Sequence, residues 1–291
     1  MEKLTWRNYN NIALQYDILD ENINLNNLDD YLKKNNCYFG QWIENWDCDI
    51  ETEFWYIIKD EKIDLSKLKS KYRSEIKRGL NNSYAKIINP LIYKEEMYSV
   101  FENATKKYDN YNTYTKIEEF YKQIESSIMN REYWGVFLKE DNKLVAYAEN
   151  ILHEKYVDFS VIKLNPEYLN LKISNTIIYD MTNFYLNKGY KFVCDGQRSI
   201  RHSTNIQKYL MKTFGFRKAF CFLNIRYGFK SLKLIMSILY PLRKIIFRLP
   251  HKFDIFKNIG TVLKIEEIYR ECKKIKKGGE NGTSFNNNST L

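Results

Sequence analysis

Hydrophobic and polar positions in the middle of the chain follow the pattern of a β-hairpin. Apolar residues dominate Tyr133–Leu138 and Leu144–Leu152, and the polar residues 140–143 between them favour a turn. Short apolar runs bounded by turn residues are typical of strands joined by a tight connection. We therefore predict two antiparallel strands over these runs.

The next apolar run, Tyr156–Ile162, alternates with a period of two. Val157, Phe159 and Val161 are expected on one face of a strand, and polar residues such as Asp158 on the other. This strand completes a predicted three-stranded antiparallel meander.

Beyond Pro166 the apolar period becomes that of a helix, up to a glycine stop at Gly189, and a strand follows at Tyr190–Cys194. Because a helix connects this strand to the meander, the two adjoining strands are predicted to be parallel. The fold class is therefore α+β, with a mixed, mostly antiparallel sheet that contains one parallel strand pair and is flanked by helices.

Other elements surround this sheet. A capping box at Thr204–Gln207 predicts a helix that ends at Gly215, followed by one last strand at 216–227. Apolar residues at helical spacing predict three helices before the meander, at 66–80, about 93–107 and about 116–129. The first of these is amphipathic and strongly basic.

The charge of the chain is concentrated near its C-terminus. The formal net charge is +10, and residues 228–277 hold 13 Lys and Arg against four Asp and Glu. Within this segment, 231–249 is strongly apolar, but cationic residues and Pro241 keep it shorter than the roughly 20 apolar residues needed to span a bilayer. We expect a basic, amphipathic helical extension, which can lie on an anionic membrane surface through residues 231–277 or pack on the domain or on a second subunit.

The remaining bulk features exclude several classes of protein. The five cysteines are widely spaced without a metal-binding pattern, so we expect reduced thiols and no metal. The N-terminus shows no secretory signal, which favours a cytoplasmic protein, with a peripheral place at the inner face of the cell membrane if the extension binds lipid. The predicted divisions are 1–54, a partial α/β segment; 55–227, the main domain; 228–277, the basic extension; and 278–291, a disordered tail.

The densest polar cluster follows the strand at 190–194. It runs from Asp195 to Asn205, at the carboxyl end of a parallel strand, where ligands bind in open α/β sheets. Asp195 and His202 are candidate catalytic bases, and Arg198 can hold a carboxylate or phosphate with two hydrogen bonds. The same residues can instead form a turn at Asp195 and helix caps further on. The remaining candidates are Asp158 as a catalytic base, and Ser199, Asn205 and Glu149 as substrate-binding residues.

The order meander, helix, strand, helix, Gly-Phe, strand resembles the GNAT acyltransferase superfamily, and the segment Asn205–Phe216 is similar to that family's last helix and turn. The basic segment Lys71–Leu80, preceded by an apolar strand, resembles the opening of the GNAT-like half of FemAB-type transferases. The tyrosine that often acts as general acid in GNAT enzymes falls at Met211, so Tyr209 does not inherit that role by position.

The resemblance implies a site for coenzyme A. In GNAT enzymes a glycine-rich loop and the start of a helix hold the pyrophosphate through backbone N–H groups. The equivalent segment here is Pro166–Ser174, with Leu169, Asn170, Lys172 and Ser174 in place of the arginine and the three glycines. The implied cofactor-binding residues are Lys172, Ile173, Ser174 and Asn175.

The resemblance also implies the activity. The leading hypothesis is an N-acyltransferase that moves an acyl group, such as acetyl, from a coenzyme A thioester to an amine of an amino sugar or of a lipid-linked envelope or polysaccharide precursor. A second hypothesis is a FemAB-like aminoacyltransferase that uses charged tRNA, whose phosphates the basic helix can hold. A third is a catalytically silent module that binds a membrane or a partner protein. A homodimer is compatible with each of these.

Overall fold

The computed structural model describes residues 5–21, 23–106, 116–129, 131–200, 205–248 and 254–283, and it describes no side chains at 254–257 and 279–283. The strands are β1 (Trp6–Tyr9), β2 (Ile12–Gln15), β3 (Phe39–Glu44), β4 (Trp55–Lys59), β5 (Ser83–Ile88), β6 (Arg131–Leu138), β7 (Leu144–Leu152), β8 (Tyr156–Leu164), β9 (Phe192–Gln197), β10 (Arg217–Phe220) and β11 (Phe222–Tyr227). The helices are α1 (Leu25–Lys34), α2 (Ser70–Asn82), α3 (Lys94–Thr105), α4 (Ile117–Ser127), α5 (Ile173–Asn187), α6 (Ile206–Phe214), α7 (Lys230–Leu239), α8 (Arg243–Ile246) and α9 (Asp254–Thr283).

The strands form two sheets. One has seven strands in the order β10-β4-β9-β8-β7-β6-β5, and the other has four in the order β1-β2-β3-β11. In the larger sheet β5 to β8 form an antiparallel series, and β8 pairs in parallel with β9 across the α5 connection. The predicted α+β class, the meander and the parallel pair are confirmed.

The chain divides into two compact units. The terminal unit comprises Met1–Tyr56, Gln197–Thr204 and Lys218–Leu291, and the central unit comprises Ile57–Gly196 and Asn205–Arg217. The terminal unit has its own core, in which the helix α1 buries Leu28 and Leu32 against Trp6 and Ala13 of the small sheet. None of the helices in the described ranges is both long enough and apolar enough to cross a membrane.

Two different layers cover the meander of the central unit. On one face the helices α3 and α4 bury an apolar cluster that includes Met97, Phe120 and Tyr147. On the other face Tyr185 of α5 is 1% exposed and bonds several polar groups of the sheet. Its hydroxyl accepts from Trp134 Nε1 at 2.8 Å and Asn150 Nδ2 at 3.0 Å, and it donates to Glu132 Oε1 at 2.7 Å. We call these four side chains the Tyr185 network.

The alternation predicted for the third strand is wrong in its second half. Glu149 pairs with Val161 and Asn150 pairs with Phe159, so one extra residue, Ser160, lies in β8 at this point. A bulge of this kind moves the following side chains to the opposite face. Val161 therefore lies on the α3 face with Asp158, instead of on the face of Phe159.

The predicted last strand, 216–227, is two strands in different sheets. Between them the N–H of Cys221 donates to Phe54 O at 3.1 Å, and its carbonyl accepts from the hydroxyl of Thr52 at 2.8 Å. Because these bonds occupy both backbone groups of Cys221, it cannot continue either strand ladder.

Two helix ends also differ from expectation. Helix α6 begins at Ile206 with Asn205 as its N-cap, and the Asn205 side chain makes no capping bond; the predicted cap, Thr204, lies outside the described residues. Helix α9 continues to Thr283, whereas disorder was predicted from Gly278. Once a helix is formed, each further residue adds a backbone hydrogen bond, which favours continuation through weak helix formers.

Candidate active site

The large sheet opens between β8 and β9. The two strands pair over only three positions, from Tyr156 with Phe192 to Asp158 with Cys194. Beyond this point β8 continues to Leu164 along β7, and β9 continues to Gln197. Ligands bind at the carboxyl ends of strands where a sheet separates in this way. The opening therefore defines the candidate active site of the central unit.

Two carboxyl groups, those of Asp158 in β8 and Asp195 in β9, lie near this opening. Burial and, as the smaller cause, the nearby negative charge of Asp158 together raise the pKa of the half-buried Asp195 to about 7. Gly196 has a φ of 83° but lies within β9, which continues to Gln197, and its N–H donates to Cys194 Sγ at 3.2 Å. Near neutral pH Asp195 can therefore either hold or accept a proton, as a general base must.

The third acidic candidate, Glu149, is ion-paired. Arg131 Nη1 donates to Glu149 Oε2 at 2.9 Å and to Ser160 Oγ at 3.2 Å. Burial raises the pKa of Glu149, and the charges of Arg131 and Lys163 partly offset this. Burial lowers the pKa of Lys163, and Glu149 partly offsets that. Arg131 and Lys163 were not predicted, because each lies just outside the strands expected at Tyr133–Leu138 and Tyr156–Ile162.

The four residues predicted to bind the cofactor lie at the start of α5. Lys172 adopts the left-handed conformation, with φ of 64°, and its carbonyl accepts from the N–H of Asn175 at 2.9 Å. Ile173 is fully buried and belongs to the core. Asn175 is 1% exposed, and its Nδ2 makes no hydrogen bond to any described residue.

The side chain of Tyr209, in α6, contacts the start of α5. Its hydroxyl donates to Asn175 Oδ1 and lies 3.1 Å from Ser174 Oγ. Burial, with a smaller contribution from the charge of Glu75, raises the pKa of Tyr209 to about 12, although the bond to Ser174 lowers it. Tyr209 therefore stays neutral and positions two of the predicted residues. Its spacing along α6 gave no sign of this contact, which depends on the packing of α6 against α5.

Helix α2 packs against the same loop. A Cβ on Gly79 would lie 2.6 Å from Lys172 O, so only glycine permits this approach. Lys172 Nζ also forms an ion pair with Glu75 of α2 at 3.3 Å. Beside the loop lies an open groove of about 560 Å³ with three cations, lined by Ser70, Arg73, Ser74, Lys77, Arg78, Asn81, Asn82 and Leu171.

The predicted polar cluster is divided between the two units. Asp195 and Asn205 belong to the central unit, whereas Arg198 and Ser199 belong to the terminal unit. Arg198 Nη1 donates to both the carbonyl and the carboxylate of Glu53, at 2.6 Å each. His202 lies outside the described residues. No group of three or more potential metal ligands occurs in the part of the chain that the structure describes.

Known structures share this architecture. No family model matches the sequence, and no curated protein matches it. A crystal structure of FemX superposes with a TM-score of 0.52 at 11% identity, covering 82% of this chain and 84% of that chain. The L-PGS structure from Bacillus licheniformis gives 0.48 at 10% identity, covering 80% and 83%. A GCN5-related N-acetyltransferase from Sphaerobacter thermophilus gives 0.39 at 8% identity, covering 65% and 60%.

The chain therefore has a GNAT-like fold, which it shares with FemX. At these identities the similarity concerns the fold.

Proposed function

We propose that the protein is an N-acyltransferase that carries an acyl group from a coenzyme A thioester to an amine. The observation that carries the proposal is the carboxyl of Asp195, with a pKa raised to about 7, at the opening between β8 and β9. An amine substrate arrives largely as an ammonium ion and must lose a proton before it can attack. A base with a pKa near the working pH is suited to this transfer.

The ionised form of Asp195 takes one proton from the ammonium group, which frees the nitrogen lone pair. The nitrogen then forms the amide bond to the acyl carbon, the carbon–sulfur bond breaks, and the thiol leaves with a second proton from the nitrogen. Asp158 supports the first transfer, because its charge increases the affinity of Asp195 for a proton.

The start of α5 can hold one phosphate of the donor. The first turn of a helix offers N–H groups that have no partner within the helix. Here the N–H of Asn175 donates to Lys172 O, which leaves those of Ile173 and Ser174, and the buried Nδ2 of Asn175 adds a third donor. The side chain of Lys172 forms an ion pair with Glu75 and so points to α2. Asn170, Lys172 and Ser174 replace the three glycines that line this loop in GNAT enzymes. A bound donor would supply the activated thioester.

We propose that the acceptor is an amino sugar or another amine-bearing precursor of the envelope or of a polysaccharide. The two carboxyl groups at the opening suit a cationic acceptor, since an ammonium ion is stabilised beside negative charge.

A specific observation also supports the second candidate, aminoacyl transfer from charged tRNA. The groove beside Leu171 presents Arg73, Lys77 and Arg78, which can neutralise nucleic-acid phosphates. The fold shared with FemX is compatible with it.

Calorimetry separates the two donors. Under the leading proposal acetyl-CoA binds, and Asn175→Ala weakens binding while the circular dichroism spectrum stays unchanged. Under the second, charged tRNA binds and acetyl-CoA does not. The triple change of Arg73, Lys77 and Arg78 to Gln then weakens tRNA binding more than the matched triple change of Lys67, Lys69 and Lys71, exposed residues outside the groove. Binding of neither donor at millimolar acetyl-CoA and micromolar tRNA would overturn the proposed function and leave the silent module.

A further inference from the structure

The helices α7 and α8 carry an apolar face that is open to solvent. Five large aliphatic side chains on them and on the short turn between them, Tyr240–Leu242, are between 49% and 64% exposed. We call them the α7–α8 apolar face: Leu234, Ile235, Ile238, Leu242 and Ile245. Single exposed aliphatic residues are common on protein surfaces, but a group of five on adjacent turns usually marks an interaction site.

The opposite side of these helices is fixed to α9, so the direction of the apolar face is set. Met236 of α7 is 3% exposed. Arg243 Nε donates to Glu267 Oε1 of α9 at 2.8 Å. The ring of Tyr240 lies between two guanidinium groups, 4.1 Å from that of Arg243 and 3.8 Å from that of Arg270.

The surroundings of the apolar face are cationic. Residues 228–253 contain six Lys and Arg and no Asp or Glu. Four of the cations are exposed, Lys230, Lys233, Lys244 and Arg248, and none forms an ion pair with a residue in the described ranges. Cations beside an exposed aliphatic face match a surface that is both apolar and anionic.

We propose that the α7–α8 apolar face binds the headgroup region of an anionic lipid leaflet. The aliphatic side chains enter the boundary between headgroups and acyl chains, while the lysines contact lipid phosphates. A second copy of the chain fits less well, since it would bring two acid-free basic surfaces together. The proposal concerns the terminal unit and does not depend on acyl transfer in the central unit.

Vesicle cosedimentation of the full chain tests this. We expect pelleting with vesicles of phosphatidylcholine and phosphatidylglycerol and little with phosphatidylcholine alone. Changing Lys230, Lys233 and Lys244 to Gln should weaken partition by roughly 100-fold, at about fivefold for each lysine near the surface. Changing Leu234 and Ile238 to Ser should weaken it by roughly tenfold or more, since each loses its apolar burial.

The matched control changes Leu91 and Ile92, two exposed aliphatic residues of the central unit, to Ser. Its partition should equal that of the unchanged protein. Equal pelleting by all variants, or equal binding to both vesicle types, would overturn the proposal. Sedimentation velocity tests whether a second copy of the chain binds this face instead. A dimer that dissociates when Leu234 and Ile238 are changed to Ser, in a protein that does not bind vesicles, would assign the face to a second copy.

Discussion

The raised pKa of Asp195 predicts that Asp195→Asn stabilises the protein above neutral pH. The carboxyl has a pKa of about 7 in the folded chain against its ordinary value of 3.8. At pH values between these two pKa values, the carboxyl has lost its proton in the unfolded chain and keeps it in the folded chain. Stability is therefore unaffected below about pH 4 and falls as the pH rises towards 7, after which the loss is constant.

The size of the effect follows from the two pKa values. They differ by about 3 pH units, and at about 1.4 kcal/mol for each unit the loss is about 4 kcal/mol at pH 8, an upper value for a half-buried group. Asparagine has nearly the same shape and no charge to desolvate, so the substitution should recover most of this free energy. Asp158→Asn removes the neighbouring charge, so it should lower the pKa of Asp195 and recover part of it.

Urea unfolding at pH 4.5 and pH 8 measures the difference. We expect Asp195→Asn to match the unchanged protein within about 1 kcal/mol at pH 4.5 and to exceed it by about 2–4 kcal/mol at pH 8. The control is Asp49→Asn, at an exposed residue, which should change stability equally at both pH values. A gain for Asp195→Asn that is equal at the two pH values, or a loss at pH 8, would refute the reasoning.

Three further substitutions probe the packing around the site. Gly79→Ala should lower the free energy of unfolding by about 1–3 kcal/mol in urea titrations, because its Cβ would overlap the carbonyl of Lys172; an unchanged value would contradict the close approach. Tyr185→Phe leaves three polar side chains of the Tyr185 network without their shared hydroxyl and should cost about 2–3 kcal/mol by the same titration. Tyr209→Phe removes the bond to Asn175 and should cost about 1 kcal/mol while weakening acetyl-CoA binding in calorimetry; tighter binding would count against its positioning role.

The order of elements in the central sheet was predictable because local patterns determine it. The meander follows from apolar runs separated by turns, and the parallel pair follows from the helix between the third strand and Tyr190–Cys194. Asp158 and Asp195 were each chosen as a candidate base, but an interaction between them was not predicted. In the structure the charge of Asp158 contributes to the raised pKa of Asp195.

Features that depend on tertiary contacts were not predictable. The extra residue Ser160 has no local signal, yet it decides which face Val161 and Lys163 occupy. The change of sheet at Cys221 depends on bonds to Phe54 and Thr52, which are distant in sequence. Interpreted by pattern alone, 216–227 is one uninterrupted strand.

The site was predictable only in part for the same reason. The start of α5 was identified from its resemblance to the pyrophosphate loop of GNAT enzymes. The bonds of Tyr209 and the ion pair of Lys172 with Glu75 were not predictable, because they require packed helices. The polar stretch Asp195–Asn205, after the predicted strand at 190–194, was treated as one cluster. The structure instead assigns Asp195 and Arg198 to different units, and Arg198 there binds Glu53.

Transfer of a radiolabelled acetyl group from acetyl-CoA to a panel of amino sugars tests the central claim most directly, with charged tRNA as the alternative donor. We predict an amide product whose rate of formation rises as the pH passes through about 7, where Asp195 ionises. Asp195→Asn, which we expect to fold at least as stably at pH 8, should lose roughly 100-fold or more of this rate. The account would be contradicted if neither acetyl-CoA nor charged tRNA gave a product, or if Asp195→Asn kept the full rate.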